Sequence, residues 1–176
     1  MPASGRPRRS WGWYRLEPDW AQTVVAASGV RRGELVLDLG AGTGALTRPL
    51  AATGARVVAV ELHPRRADRL RRLRAGHVRV VEADLLAVPL PGRPYRVVAN
   101  PPFALAGPLL RRLVAPGCRL VAADLVLERA MVAYYTTGRR RRWQRTWSAT
   151  PGANLPRRAL TPSPGVDVGV LRLRRR

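Results

Sequence analysis

The run Val97-Val98-Ala99 ends in Asn100-Pro101-Pro102-Phe103, a carboxamide, two prolines and the only phenylalanine of the chain. Two consecutive prolines remove two backbone donors, so a core strand that reaches them has to stop there. What they leave suits one kind of chemistry. The side-chain oxygen of Asn100 and the rigidly held carbonyl of Pro101 are neighbouring acceptors, and Phe103 offers a face on which a flat ring can stack. An exocyclic amine such as adenine N6 is a poor nucleophile because its lone pair is delocalised into the ring. Acceptors for its N–H groups favour the tetrahedral nitrogen that forms as a methyl group arrives. No base is needed before attack on a strong electrophile, and orientation carries most of the rate.

A second cluster points to the methyl donor. Asp38-Leu39-Gly40-Ala41-Gly42-Thr43-Gly44 follows an apolar run, and Gly40, Gly42 and Gly44 let the backbone come close to a ligand. The spacing differs from the G-x-G-x-x-G of a pyrophosphate binder, because Gly44 comes one residue early. Glu61 ends the next strand-like run, where an acid can hold ribose hydroxyls, and Asp84 ends the third, where one can accept from an adenine amino group. Three strand-end acids around a glycine turn fit a nucleoside cofactor without a pyrophosphate, and S-adenosylmethionine is the expected one. Tight turns capped by acids are the plainer alternative.

These residues need a scaffold, and the hydrophobic pattern predicts one. Strands are expected over 34–40, Arg56–Glu61, 78–84, 95–100 and 119–126, with helices over 45–53, 64–74, 104–114 and 127–136. Pro64 suits a first helical position, whereas Pro108 predicts a break within the fourth helix segment. Residues 166–176 alternate like a closing strand that leads into a basic tail. Strand and helix in alternation predict a parallel sheet, doubly wound, with ligands at the carboxyl ends of the strands.

Composition narrows the partner. The 32 basic residues are all arginine and face only 11 acids, a formal charge of +21. Arginine-rich coding accounts for the absence of lysine but not for the excess over Asp and Glu. A field of this sign favours nucleic acid, and the arginine fork pairs with phosphate and stacks on bases. Arginine and aromatics interleave at both ends of the chain. Arg6, Arg8, Arg9 and Trp11, then Arg139, Arg140, Arg141, Arg142 and Trp143, are the expected RNA-binding residues, with Trp13 and Trp147 in the same two segments. Cys118 is alone and His63 and His77 are the only histidines, so no metal site is expected. No signal peptide and no membrane span are expected either, which predicts a cytoplasmic protein.

Together "LDLGAGTGALT", "VVAVELHP", "VVEADLL", "VVANPPF" and "PSPGVDVGVLRL" resemble the Erm family of ribosomal RNA adenine N6-methyltransferases and the related small-subunit dimethyladenosine transferases. The resemblance covers about residues 10–173. NPPF by itself is shared with DNA adenine and protein glutamine methyltransferases; the proline-rich approach to Val166-Asp167 is more specific. The resemblance implies an α/β, Rossmann-like class I S-adenosylmethionine-dependent methyltransferase with a doubly wound, mostly parallel sheet. It implies methyl transfer to N6 of an adenine in the peptidyl-transferase region of 23S rRNA, which blocks macrolide, lincosamide and streptogramin B binding. By motif position Gly40, Gly42 and Gly44 would line the cofactor, Glu61 its ribose, and Asp84 and Leu85 its adenine, with Leu62 and Asn100 completing the cofactor set. Asn100, Pro101 and Phe103 would hold the target base.

Two departures stand out. The family's Gln-Asn/His-Phe-Leu opening is replaced by Gly12-Trp13-Tyr14-Arg15-Leu16, so its cofactor-covering contacts do not carry over. The helical C-terminal domain of the family is also not expected. The expectation is one catalytic domain over 1–176, a monomer, with a basic–aromatic arm over about 1–16 and a basic tail over about 172–176 that replace part of that domain's grip on RNA. The competing readings are an amino-methyltransferase acting on 16S rRNA, DNA adenine or protein glutamine, and a ribosome assembly factor without turnover.

Overall fold

The computed structural model describes residues 13–73, 75–137 and 142–176. Arg6, Arg8, Arg9, Trp11, Arg139, Arg140 and Arg141 lie outside the described residues. At the centre is a seven-stranded sheet. Its strands are β2 (Leu35–Leu39), β3 (Arg56–Glu61), β4 (Val78–Glu82), β5 (Tyr95–Ala99), β6 (Leu120–Glu128), β7 (Trp147–Leu155) and β9 (Val168–Arg175). They lie in the order β4-β3-β2-β5-β6-β9-β7; the five strands from β4 to β6 are parallel, and β9 runs against both of its neighbours. A two-residue ladder of β1 (Arg15–Leu16) with β8 (Leu160–Thr161) lies beside it.

The apolar runs explain the middle of the sheet. All five residues of β2 are buried, as expected for a parallel strand covered on both faces. Side-chain alternation divides the core in two. Leu37, Val97, Leu125 and Leu171 join the cluster under α4 (Ala106–Leu113) and α5 (Arg129–Thr136). Val36, Val98, Val126 and Val170 join the opposite one, under α1 (Pro18–Ser28) and α2 (Thr47–Ala52). The remaining helix, α3 (Pro64–Arg71), covers β3 and β4.

From β2 the chain winds outward through β3 and β4, then returns to the other side of β2 at β5. This reversal leaves a crevice at the carboxyl ends of β2 and β5, where open α/β sheets bind ligands. The register pairs Leu37 with Val97, so Gly40 and Asn100, each three residues further on, emerge side by side.

Four features differ from the sequence expectation. Residues 18–28 form a helix, entered at Pro18 and ended by Gly29 at φ 70°. Residues 147–155 form β7 despite Pro151 and Gly152; it is the edge strand, and its register breaks between Pro151 and Asn154, where a missing donor is tolerated. Pro108 does not break a helix. It occupies the first turn of α4, where no intrahelical partner for its absent N–H is needed. The segment 172–176 is not a free tail, because β9 continues through Arg175 and Arg174 pairs with buried Asp124 on β6 at 2.9 Å. No helix among the described residues is long and apolar enough to cross a membrane.

Candidate active site

The glycine turn after β2 is stapled to the end of β3. Gly40 and Ala41 both donate to the carbonyl of Val60 at 2.9 Å, and Gly42 donates to Glu61 Oε2 at 2.8 Å. The other carboxylate oxygen of Glu61 accepts from the amide of His63 at 2.8 Å. The buried Glu61 is therefore held by backbone amides on both sides, and each oxygen keeps a lone pair free.

The three glycines do different work. Gly40 borders the crevice, and a Cβ there would stand 3.4 Å from Leu85 and 3.5 Å from Pro102. Gly42 has φ +58° and lies under Trp13, whose Nε1 would be 2.5 Å from an added Cβ. Gly44 packs on Leu70 of α3, away from the crevice.

The crevice has two compartments that meet at Gly40 and Trp13. One is a cavity of about 140 Å³ lined by Glu61, Leu62, Asp84, Leu85, Pro102 and Leu105. Asp84 is exposed and closes its own turn by accepting from Leu86 at 2.8 Å; Leu85 is buried beneath it. Arg112 of α4 fixes this loop through the carbonyls of Leu85 and Val88. Apolar walls beside two acids suit a flat base joined to a diol. The second compartment is a narrow cleft that contains Asp38, Gly40, Thr43 and Asn100. Asp38 is buried and its carboxyl pKa is pushed up to about 7, chiefly by burial and further by the charge of Glu61, against a 2.6 Å hydrogen bond from Thr47. Among the described residues no cation pairs with it. A cationic ligand group would.

Asn100 lines the cleft, Pro101 lies against Gly40 and Phe103 follows in the next turn. Asn100 donates through Nδ2 to the carbonyl of Tyr14 at 2.7 Å, which leaves Oδ1 as the acceptor. Pro101 is buried, and Phe103 opens a short 3-10 turn and stacks on Tyr14 with ring centroids 5.3 Å apart.

Trp13 and Tyr14 stand where the family's cofactor-covering opening would, without its residue types, and they form the roof of the site. Trp13 is covered by Arg66, whose Cζ lies 4.2 Å from the ring centroid. The segment is held by the β1–β8 ladder and by Thr161, which donates to Glu17 at 2.6 Å. In the sequence the signal was positional, an aromatic pair before a leucine in the place of the family's cofactor-covering opening. The basic–aromatic C-terminal segment divides. Arg142 is exposed and Trp143 is half-buried beside Tyr135, but Trp147 is 1% exposed and belongs to the core.

The family model for ribosomal RNA adenine dimethylases matches residues 13–176. The chain belongs to this family. A mycinamicin-resistance protein, MyrB of Micromonospora griseorubida, is 38% identical over 80% of the chain and 47% of its own length. The ribosomal RNA small subunit methyltransferase A of Mycobacterium tuberculosis is 40% identical over 70% of the chain and 43% of its own length. The chain thus spans about half the length of these relatives. The 23S rRNA methyltransferase ErmE superposes with a TM-score of 0.83 at 28% identity, over 92% of the chain and 70% of ErmE. The fold of this adenine dimethylase family member is accordingly the Rossmann-like fold of class I methyltransferases.

Proposed function

We propose that this chain transfers a methyl group from S-adenosylmethionine to N6 of an adenine in 23S rRNA, in the peptidyl-transferase region, and so confers macrolide, lincosamide and streptogramin B resistance. The observation that carries the reading is the fixed carboxamide of Asn100: with Nδ2 committed to Tyr14, Oδ1 is free to accept from an N6 amine. The resistance relative and the superposition on ErmE support 23S rRNA as the substrate.

The residues fit the cofactor. The 140 Å³ cavity has apolar walls for an adenine and Asp84 at its edge, Glu61 has lone pairs for ribose hydroxyls, and the unpaired buried Asp38 suits a cation. When bound, S-adenosylmethionine supplies an electrophilic methyl on a sulfonium. Asn100 Oδ1 and the Pro101 carbonyl would accept the two N6 hydrogens and favour a tetrahedral nitrogen. The two prolines keep that carbonyl from turning away. Phe103, backed by Tyr14, would hold the base by stacking, and the roof formed by Trp13 would exclude water. The adenine must leave its stack to reach Asn100, so an unpaired or flipped nucleotide is the substrate. The chain acts as a cytoplasmic monomer, with Arg142, Trp143 and the basic N-terminal arm on the RNA.

The small-subunit relative favours a second substrate, an adenine of 16S rRNA. A transfer assay with labelled S-adenosylmethionine separates the two, using protein-free 23S rRNA, intact large subunits, 16S rRNA and duplex DNA. Label in 23S adenine that disappears in Asn100→Ala is the expected result; label in 16S rRNA alone selects the second reading. Label in none, with cofactor bound, overturns both.

A further inference from the structure

A groove of about 460 Å³ leaves the mouth of the active-site cleft and runs between the start of α1 and the outer faces of α2 and α3. It is continuous with the cleft, since Arg15, Leu16, Thr43 and Ala45 line both. Arg15, Arg48 and Arg69 face it, with Glu17 and Gln22 on the α1 side. Arg15 is neutralised by Glu17 at 3.1 Å. Among the described residues no carboxylate lies within ion-pair distance of Arg48 or Arg69, and both are exposed.

With 32 arginines against 11 acids many arginines lack a carboxylate partner, and what sets Arg48 and Arg69 apart is their place on this groove. On the same helix Arg71 bridges Asp68 at 2.6 Å and Glu82 of β4 at 3.3 Å, which turns Asp68 toward the sheet edge and away from the groove. Arg66 covers Trp13. Elsewhere Arg96, Arg157, Arg172 and Arg174 each have a carboxylate partner. Arg48 of α2 and Arg69 of α3 are thus two unpaired cations lining a channel that begins at the proposed methylation site.

We infer that this groove is a phosphate track for the RNA strand that carries the target adenine. The inference rests on the proposed RNA substrate and assigns it a surface formed by described residues of α1, α2 and α3. A flipped nucleotide at Asn100 leaves its flanking backbone at the cleft mouth, and the groove is a continuous exit lined by unpaired guanidinium groups. Arginine forks there would neutralise phosphates without reading bases, which positions the strand and adds salt dependence.

The test compares Arg48→Glu/Arg69→Glu with Arg93→Glu/Arg119→Glu, an equal charge change in the loops entering β5 and β6, at the opposite end of the sheet. Anisotropy of labelled, protein-free 23S and 16S rRNA fragments is measured across a salt series, with cofactor affinity followed by calorimetry. The groove variant is expected to lose RNA affinity by about tenfold or more relative to the control, with the slope of log K against log salt reduced by roughly 0.7 for each lost single-strand phosphate contact. Cofactor affinity should not change. Equal losses in the two variants overturn the groove assignment and leave the function standing. If the unmodified chain binds cofactor but neither RNA, the RNA reading fails and the groove assignment goes with it.

Discussion

Asn100 and Tyr14 stand 86 residues apart, and the side-chain amide of one donates to the main-chain carbonyl of the other at 2.7 Å. This bond joins the end of a core strand to the roof of the site. It also sets which end of the carboxamide faces a substrate, because Nδ2 is occupied and Oδ1 is not.

Under the proposed function, Asn100→Ala should therefore remove an acceptor that acts on the reacting nitrogen. The expected loss in kcat is on the order of 10²–10³, the size seen when one preorganised transition-state hydrogen bond is deleted. Asn100→Asp should be at least as damaging, since a carboxylate cannot donate to Tyr14 and would repel its carbonyl. Single-turnover kinetics beside calorimetric cofactor titration check both. A cofactor affinity that falls as far as the rate would make Asn100 a binding residue only.

Gly42→Ala should destabilise the site in two ways. A φ of +58° costs an L-residue about 1–2 kcal/mol, and the new Cβ would press on Trp13 Nε1. Trp13→Ala removes the second contribution but not the first. In a thermal-denaturation double-mutant cycle the pair should couple favourably, the double variant being more stable than the sum of the singles. Strict additivity would mean that the roof shifts at no cost.

Asp38 makes stability depend on pH. Its carboxyl pKa is raised in the folded chain from 3.8 to about 7, so burial favours the protonated form. The folded state then binds more protons than the unfolded one between about pH 4 and 7, and stability falls as pH rises across that window. Above the folded value the loss is complete. Asp38→Asn should flatten the corresponding decline of Tm. In the intact chain cofactor binding should release a proton below pH 7, measurable as a buffer-dependent calorimetric enthalpy, and the variant should lose that release.

Arg174 is a structural arginine. It pairs with buried Asp124 through Oδ2 at 2.9 Å and Oδ1 at 3.0 Å and also donates to the carbonyl of Ala123. Its side chain is one-third exposed, so Arg174→Ala is expected to cost about 2 kcal/mol rather than the full price of breaking a buried pair. That corresponds to a fall in Tm of roughly 4–8 °C for a chain of this size. RNA affinity at a temperature where both proteins are folded should stay within about twofold. A tenfold loss of RNA affinity with unchanged Tm would return Arg174 to the RNA surface.

The central strands, the glycine turn and Asn100 through Phe103 were legible because they are local. Four buried apolar residues in a five-residue strand, interrupted only by Asp38, mark the middle of a covered sheet, and two prolines mark the end of a strand. Strand-end acids followed from the same alternation, since a doubly wound sheet brings all its carboxyl ends to one edge. The residues that line the crevice were therefore written in short segments.

The tertiary structure decided what depends on distant partners. β7 exists because β9 offers an edge to pair with, which overrides the local signals of Pro151 and Gly152. Trp147 is core because that pairing turns it in, whereas Arg142, in the turn before the strand, stays exposed. Gly42 and Gly44 are needed as much for Trp13 and Leu70 as for any ligand. The roof over the crevice rests on Thr161 and Leu160, more than 140 residues from the strand they hold. Composition showed that arginine is in excess; only the fold separates Arg174, bound to Asp124, from Arg48 and Arg69, which have no acid within reach. Local sequence determines which residue types stand at a strand end, whereas side-chain direction and pairing depend on packing between segments far apart in the chain.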